Sequence, residues 1–192
     1  QHRVKKTRHP MKAAYGIEAV PFAHPDLNRW RDTFIGLEHC HRPTNLLITG
    51  APDDIWINPQ GALIVVDYKA TSKDAEVTLD AEWQRGYKNQ MEIYQWLLAQ
   101  NGFRVDQTGY FVYVNGRRDR EAFDGRLEFD VKLIPYRGDT AWIEPKLSEI
   151  KECLMSPAPP ASATDCPFCR YRQIAAAALN KDYPQTNQVA LW

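Results

Sequence analysis

The stretch that decides the fold is Gly50-Ala-Pro-Asp-Asp-Ile-Trp-Ile-Asn-Pro-Gln-Gly-Ala-Leu-Ile-Val-Val-Asp-Tyr-Lys69. Residues 62–69 form an apolar, β-branched run, which is typical of a buried central strand. Residues 54–58 alternate in the manner of a second short strand. Pro59-Gln60-Gly61 lies between the two runs and predicts a turn. We therefore expect a β-hairpin at the centre of the domain.

Charged residues fall at one end of this hairpin. Residues i and i+2 of a strand point to the same face, so Asp67 and Lys69 are predicted to project together, with Tyr68 on the opposite face. Pairing of the two strands brings Asp53 close to Asp67, whereas the side chain of Asp54 should face the other way. The result is two carboxylates and one ammonium group at the same end of the hairpin.

Two carboxylates beside a lysine suit the hydrolysis of a phosphodiester bond. Carboxylate oxygens hold Mg²⁺ or Mn²⁺, which keeps water in its remaining coordination positions. The metal lowers the pKa of a bound water and neutralises charge on the scissile phosphate, and a lysine can stabilise developing charge. A simple ion pair between Asp67 and Lys69, on an unrelated α/β protein, is the structural alternative. The additional carboxylate of Asp53 favours a metal site.

The same residues resemble the PD-(D/E)XK motif of RecB-family nucleases and their CRISPR-associated exonuclease-like relatives. That family has Gly-x-x-Asp, then a hydrophobic strand that ends in Asp/Glu-x-Lys, here Gly50-Ala-Pro-Asp53 and Ile64-Val-Val-Asp67-Tyr-Lys69. Downstream it has Gln-x-x-x-Tyr on a helix, here Gln90-Met-Glu-Ile-Tyr94. Residues i and i+4 share one face of a helix, so Gln90 and Tyr94 can point together at the site.

The resemblance implies a restriction-endonuclease-like core, which is an α/β fold with a mixed β-sheet flanked by helices. The residues that it implies as catalytic are Asp53, Asp67, Lys69, Gln90 and Tyr94. Asp53 and Asp67 would bind Mg²⁺ or Mn²⁺ together with the backbone carbonyl of Tyr68. The implied activity is that of a deoxyribonuclease, exonuclease-like, on single-stranded DNA or free ends. A degenerate module that binds DNA or a protein partner without cutting is the alternative.

The remaining sequence predicts the order strand, strand, strand, long helix, strand, strand, helix. Residues 1–45 are predicted to be irregular except for a short helix near 26–35. Further strands are predicted over 45–50, 108–115 and 127–135, and further helices over 80–101, 140–155 and 173–179. The apolar face of the long helix is predicted to contain Trp83, Tyr87, Met91, Tyr94, Leu97 and Leu98. We expect one domain over 1–192, made of an N-terminal lead (1–45), a catalytic core (46–155) and a tail (156–192).

The tail contains a possible metal knuckle. Cys166-Pro-Phe-Cys169 has the C-x₂-C spacing of metal ligands. RecB-like nucleases often connect a C-x₂-C-x₅-C tail to an N-terminal Cys through a [4Fe-4S] cluster, but here Ala175 occupies the last of these positions. The resemblance therefore implies Cys153 as a third ligand and Cys40, or a residue of a missing leader, as a fourth. Zn²⁺ and no metal at all are the alternatives.

Charge and hydropathy constrain the possible partners. The 192 residues are 44% hydrophobic and 25% charged, which is ordinary for a globular domain, and the formal net charge is zero. Zero net charge argues against a pure DNA-binding domain but allows a nuclease, because an acidic metal pocket and a basic track cancel. Basic clusters occur at residues 2–9 and 117–120. We predict that Arg117, Arg118 and Arg120 contact DNA, with a solvated surface run as the alternative.

The sequence also bears on localisation. It has no apolar run near the roughly 20 residues that a membrane span needs, and no secretory signal at its start. These features predict a soluble, cytoplasmic protein without disulfides. The first residue is Gln and the opening segment is polar and basic, which suggests a fragment of a longer chain.

Overall fold

The computed structural model describes residues 14–122 and 124–182. Two compact units divide the chain between Lys151 and Glu152. The elements are β1 (Val20–Pro21), α1 (Leu27–Trp30), β2 (Leu37–His41), β3 (Leu46–Gly50), β4 (Asp54–Ile57), β5 (Leu63–Thr71), a 3-10 turn (Glu82–Gln84), α2 (Arg85–Gln100), β6 (Thr108–Gly116), β7 (Phe129–Arg137), α3 (Ile143–Met155) and α4 (Pro167–Asp182). The predicted basic run at 2–9 lies outside the described residues.

A five-stranded mixed sheet forms the centre of the first unit. Its strand order is β1-β4-β5-β6-β7, and β5 and β6 are parallel while the other neighbours are antiparallel. Parallel neighbours need a long crossover connection, and α2 supplies it here. The predicted α/β fold with a mixed sheet and flanking helices is confirmed. The apolar start of β5 is buried, as its β-branched sequence indicates.

Each face of this sheet has its own apolar cluster, because successive side chains of a strand point to opposite faces. The cluster on the α2 face includes Ile55, Leu63, Val65, Met91, Leu97 and Phe111. The cluster on the opposite face consists of Ile17, Ala19, Trp56, Ile64, Val66, Val112 and Leu133. The side chains of Asp67 and Lys69 continue the α2 face beyond its apolar part, so the polar site lies where the buried core ends.

The predicted strand over 45–50 exists as β3, but it does not belong to the central sheet. It pairs with β2 in a separate two-stranded sheet. The expectation that residues 1–45 hold only loops around one helix was therefore wrong. Leu37-Glu-His-Cys-His41 has too few apolar residues to show a strand period, so its pairing depends on contacts that sequence pattern does not reveal.

Gly50 at the end of β3 is required by close packing. A Cβ atom at this position would lie 2.8 Å from the ring of Tyr94 and 2.9 Å from Leu97, both on α2. Both distances are too short for real carbon atoms. The glycine that opens Gly50-Ala-Pro-Asp53 thus lets the chain cross α2 at close range and enter the hairpin at Asp53.

The long helix begins later than expected. It begins at Arg85, after the 3-10 turn, and ends at Gln100, and Gly102 follows with φ +83°. Trp83 was predicted on the apolar face, but its side chain is 65% exposed. Gln84 occupies the buried position instead, where its amide donates to the carbonyl of Thr78 at 2.7 Å and accepts from the N–H of Ala81 at 3.0 Å.

The remaining predictions differ mainly in their boundaries. β7 is the strand predicted over 127–135, and it lies at one edge of the sheet after the turn at Asp124-Gly125, where both φ angles are positive. The helix over 140–155 is α3. The helix near 26–35 is the short α1, and the Ala-rich helix over 173–179 is longer and begins at Pro167 as α4. In the part of the chain that the structure describes, no helix combines the length and apolar character that a membrane span requires.

Candidate active site

The β4–β5 hairpin places Asp53 beside β5. Asp54 pairs with Val66 at the last step of the ladder, so Asp53 extends past the paired part of β4. The Oδ2 atom of Asp53 accepts a hydrogen bond from the backbone N–H of Tyr68 at 2.7 Å. This hydrogen bond fixes the carboxylate of Asp53 against the Asp67-Tyr68-Lys69 segment, as the predicted hairpin requires.

Asp67 and Lys69 form a close pair on the α2 face. The side chain of Asp67 is almost wholly buried, at 3% exposure, and the ammonium of Lys69 lies 2.6 Å from its Oδ2 atom. Even so, no donor in the described residues makes a well-directed hydrogen bond to that oxygen. This oxygen therefore has the ion pair with Lys69 as its contact, and an ionised carboxylate oxygen can accept from more than one partner.

Burial raises the pKa of Asp67 above its usual value. The ammonium of Lys69 opposes this shift, and the carboxylate of Asp53 reinforces it. Two carboxylates next to one ammonium leave the site with excess negative charge when both are ionised. A divalent cation would relieve that excess in the same way as a second positive side chain.

A chain of hydrogen bonds connects this pair to α2. Lys69 donates to the side-chain oxygen of Gln90 at 3.0 Å, and the amide of Gln90 donates to the hydroxyl of Tyr94 at 2.8 Å. Burial raises the pKa of Tyr94, and the carboxylates of Asp67 and Asp53 raise it further, so the phenol stays protonated at neutral pH. The structure therefore brings together all five residues that the sequence suggested as catalytic.

Tyr87 is a neighbour of the site that sequence reasoning assigned only to the apolar helix face. Its ring centroid lies 4.4 Å from the ammonium of Lys69, within the range of a cation–π contact. Tyr87 precedes Gln90 by one helical turn, so the sequence spacing already indicated that the two side chains share one face of α2. The lysine is thus held by a carboxylate, an amide oxygen and an aromatic ring.

Asp54 lies on the opposite face of the hairpin, as predicted. Its carboxylate accepts hydrogen bonds from the N–H of Ile55 at 2.9 Å, the indole of Trp56 at 3.1 Å and the hydroxyl of Tyr68 at 3.3 Å. These contacts give Asp54 a structural role. It is a matched counterpart to Asp53, its neighbour in the chain.

The donor atoms of the site fit Mg²⁺ or Mn²⁺. Within the described ranges no group of three His, Cys, Asp or Glu side chains is placed to hold a metal ion. Mg²⁺ needs only one or two carboxylates, however, because water and substrate phosphate complete its shell. The carboxylates of Asp53 and Asp67 meet this need. The N–H of Tyr68 donates to Asp53, and the N–H and C=O of one strand residue point to the same side. The carbonyl of Tyr68 is therefore directed towards Asp53, beyond the end of β4.

Two histidines of the first unit, His41 and His24, have structural contacts. His41 is buried, with Nδ1 2.8 Å from the hydroxyl of Thr44 and Nε2 2.7 Å from a carboxylate oxygen of Glu144. The other oxygen of Glu144 accepts from the indole of Trp96 at 3.0 Å. His24 stacks on Trp30, with ring centroids 4.3 Å apart. These contacts connect the β2–β3 sheet, α2 and the start of α3, and they account for the two histidines without a catalytic role.

The three arginines predicted to contact DNA all form ion pairs on the surface. Their partners are Asp119 for Arg117, Asp74 for Arg118 and Glu128 for Arg120. Exposed pairs of this kind contribute little to stability, so a phosphate can compete for these arginines. The DNA contact stays a prediction.

The cysteines are free thiols in two different units. Cys40 is exposed on β2, and Cys153 is exposed on α3 in the second unit. Cys166 precedes α4 and Cys169 lies in its first turn, where the backbone N–H and thiol of Cys169 lower the pKa of Cys166. The structure brings Cys166 and Cys169 together, but the described residues do not gather a third ligand around them. The cluster or zinc site stays a prediction.

The fold and this hairpin site define a nuclease-type α/β protein. A model of the PD-(D/E)XK nuclease superfamily matches residues 3–174, which is most of the chain. The protein therefore belongs to the PD-(D/E)XK nuclease superfamily, whose members are generally nucleases that typically use Mg²⁺ or Mn²⁺. No curated protein gives a significant match to the chain.

Proposed function

We propose that this protein is a metal-dependent deoxyribonuclease that hydrolyses phosphodiester bonds, in an exonuclease-like manner, on single-stranded DNA or at free ends. The observation that carries the proposal is the convergence of Asp53, Asp67 and Lys69 at one end of the β4–β5 hairpin. A domain that only bound DNA would gain little from two carboxylates near a phosphate, because they repel it. The intact set favours cutting over the degenerate binding module.

Asp53 and Asp67 are the proposed metal ligands, together with the carbonyl of Tyr68. A bound Mg²⁺ or Mn²⁺ would supply an activated water and neutralise charge on the scissile phosphate. The two carboxylates reach the site from different strands. Asp53 is fixed by the N–H of Tyr68, and Asp67 is fixed by its burial. Both carboxylates are therefore held in place before a cation binds, so little ordering is needed when it binds.

Lys69 is the proposed catalytic lysine. Its side chain is only 15% exposed and is held by Asp67, Gln90 and the ring of Tyr87. An ammonium fixed in this way can orient the attacking water or stabilise charge on the phosphate without reorganising. Gln90 and Tyr94 would act through it, by keeping the ammonium in position and ordering the side of the site formed by α2.

The RecB-like branch of the superfamily is part of the same proposal. It is supported by the order of three elements, Gly50-Ala-Pro-Asp53, Asp67-Tyr-Lys69 and Gln90-Met-Glu-Ile-Tyr94. The hydrogen bonds from Lys69 to Gln90 and from Gln90 to Tyr94 support it further, since they give the third element a place at the site.

The test is a Mn²⁺-dependent cleavage assay on end-labelled single-stranded, duplex and circular DNA. Asp67→Ala should reduce cleavage by orders of magnitude, because the metal supplies both nucleophile and charge neutralisation. Asp54→Asn is the matched control, since this aspartate faces away from the site, and it should retain metal-dependent cleavage. Undiminished cleavage by a folded Asp67→Ala protein would overturn the proposal. A wild-type protein that binds DNA and cuts none of the substrates would favour the binding-only alternative.

A further inference from the structure

A row of side chains leads from the site to the surface along α2. Tyr94, Gln90 and Tyr87 follow one another at steps of four and three residues, so they share one face of the helix, and Trp83 in the preceding turn continues the row. Exposure rises along this row. Tyr94 is 8% exposed, whereas Trp83 is 65% exposed.

Direct contacts connect the two ends of this row. The ammonium of Lys69, next to Asp67, lies 4.4 Å from the ring centroid of Tyr87. The rings of Tyr87 and Trp83 meet edge to face, with centroids 5.5 Å apart and an interplanar angle of 81°. The proposed catalytic lysine is therefore separated from an exposed indole by a single aromatic ring.

The position of Trp83 is fixed by its neighbours rather than by burial of its own ring. Gln84, which is 2% exposed, closes the turn through hydrogen bonds with Thr78 and Ala81. Tryptophan is usually well buried in folded proteins. An indole that faces solvent contributes little to the stability of the fold. Because hydrogen bonds hold its turn in place, this indole offers a fixed flat surface to a ligand.

The first turn of α2 also contains two basic residues. Arg85 and Lys88 lie in the first turn of α2, and the ammonium of Lys88 lies 5.8 Å from the ring centroid of Tyr136 on β7. In the described part of the chain neither forms an ion pair, whereas Arg117 and Arg118 are paired with carboxylates. Arg85 and Lys88 can therefore receive phosphate groups near the start of α2.

We propose that Trp83 and Tyr87 form a stacking site for an unpaired nucleobase of a DNA strand whose phosphate lies at Asp67 and Lys69. This inference rests on the proposed function and names the substrate form that the site selects. A base inside a duplex has both faces covered by its neighbours, whereas an unpaired base exposes a π-face to an aromatic side chain. The aromatic pair thus favours single-stranded DNA or a frayed end over a blunt duplex.

The test measures equilibrium binding of fluorescent oligonucleotides in an Asp67→Asn background, which prevents cleavage. The probes are a single strand, the same strand with one abasic position moved stepwise along it, and a blunt duplex. Trp83→Ala should weaken single-strand binding by about tenfold or more and duplex binding by less than about twofold, as expected for loss of one stacked base. One abasic position should weaken binding to the parent protein but not to the Trp83→Ala protein.

Two further variants keep the test interpretable. Trp83→Phe retains an aromatic face and should keep most of the single-strand affinity, and it replaces Trp83→Ala if that protein fails to fold. Tyr15→Ala removes an exposed aromatic residue close in sequence to Ile17, which packs on the opposite face of the sheet, and it should change neither affinity.

Two outcomes would overturn the stacking site. One is an equal loss of single-strand and duplex affinity, or no loss, in the Trp83 variants. The other is absence of single-strand binding by the parent protein. The proposed function is tested separately by cleavage in the Asp67 form. If binding depends on Trp83 but no DNA is cut, the proposed nuclease activity is refuted and the stacking site is kept. If Trp83→Ala cuts single strands with an unchanged KM, the stacking site is refuted and the nuclease activity is kept.

Discussion

Lys69 donates a hydrogen bond to the side-chain oxygen of Gln90 at 3.0 Å, across 21 positions of sequence. This bond joins the end of β5 to α2, so the two elements that build the site hold each other in register. The carboxylate of Asp67 lies on the other side of the same ammonium. The position of Lys69 thus depends on both elements, and removal of Gln90 should affect chemistry more than binding.

Lys69→Ala should reduce kcat by about 10²–10³-fold, which is the range measured when one preorganised donor is removed from other enzymes. Metal affinity should change little. A positioned cation acts mainly on charge that develops in the transition state, so ground-state binding of metal and DNA should be nearly retained. Steady-state kinetics with Mn²⁺ titration calorimetry measure both quantities. Normal turnover at saturating DNA, with weaker DNA affinity alone, would make Lys69 a phosphate-binding residue.

Gln90→Ala should reduce kcat by a smaller factor, about tenfold, because Gln90 acts by positioning Lys69. A double-mutant cycle tests this role directly. If Gln90 acts through Lys69, the Lys69→Ala/Gln90→Ala protein should be no slower than Lys69→Ala alone. Gln100→Ala, at the exposed end of the same helix, is the control and should leave kcat unchanged. Independent, additive losses would show that Gln90 has a separate role.

The β4–β5 hairpin and the side chains that share its face could be predicted because their signals are local. The run Leu63-Ile-Val-Val-Asp-Tyr-Lys69 shows both its burial and the residue at which burial ends. Strand alternation then fixes which charged side chains share a face, and it separates Asp53 from Asp54 correctly. The spacing of Gln90 and Tyr94 needs only the period of a helix.

The parts that failed depend on contacts between distant residues. The polar strand β2 forms because it pairs with β3, and His41 is placed by Glu144, which is 103 positions away. Trp83 has the right spacing for the buried face of α2, but Gln84 closes a 3-10 turn there and leaves the indole outside. Sequence pattern does not distinguish these outcomes, because tertiary contacts override local periodicity.

Asp67→Asn should raise the melting temperature of the metal-free protein at neutral pH. The folded-state pKa of Asp67 is raised, so the folded protein binds this proton more tightly than the unfolded chain. The stability therefore falls as pH rises from the unfolded-state pKa through the folded-state pKa, and it stays lower above that window. A neutral Asn avoids the cost of burying a charged carboxylate. The pKa of Asp67 is raised even though Lys69 lowers it, so the effect of Lys69 is already included.

Thermal unfolding with chelator and with Mg²⁺ measures this cost. The wild-type protein should be stabilised by Mg²⁺, whereas Asp67→Asn should respond little because a ligand is lost. Asp54→Asn, on the other face, should keep the Mg²⁺ response. A metal-free Asp67→Asn protein that melts below the wild type would contradict the prediction.

Glu92→Ala should lower the free energy of unfolding by about 3 kcal/mol without a specific effect on metal binding. The buried carboxylate of Glu92 accepts from the hydroxyl of Tyr136 at 2.5 Å, the indole of Trp142 at 2.6 Å and the N–H of Asp139 at 3.1 Å. Its loss leaves these donors unsatisfied, and each such group costs about 1–3 kcal/mol when buried. Urea unfolding measures the change, with exposed Glu149→Ala as the control.

A second measurement separates this role from simple packing. The pKa of Tyr136 is raised to about 12, first by desolvation and then by its hydrogen bond to Glu92 and the negative charge of that residue. Glu92→Gln keeps an acceptor oxygen but removes the charge, so the pKa of Tyr136 should fall while most of the stability remains. An unchanged tyrosine titration in Glu92→Gln would show that the carboxylate does not act on Tyr136.

The last prediction concerns Cys166 and Cys169, which we expect to bind iron or zinc in the full-length protein. The lowered pKa of Cys166 favours the thiolate, which is the form that binds metals. The second unit also has little apolar burial. Large apolar residues of α4 are exposed, namely Phe168, Tyr171, Ile174 and Leu179. A metal would supply stability that this unit otherwise lacks.

A shared metal would hold the tail to Cys153 and to an N-terminal thiol and so close a long loop. By the chain-entropy model a cross-link over a 100-residue loop stabilises a protein by about 4–5 kcal/mol. Cys166→Ser/Cys169→Ser should therefore lower the melting temperature more than it lowers kcat. Anaerobic purification with iron and zinc analysis measures the binding, and Cys40→Ser shows whether a thiol of the first unit contributes. A full-length protein without iron or zinc, whose double mutant melts at the wild-type temperature, would leave the two thiols as ordinary side chains of the tail.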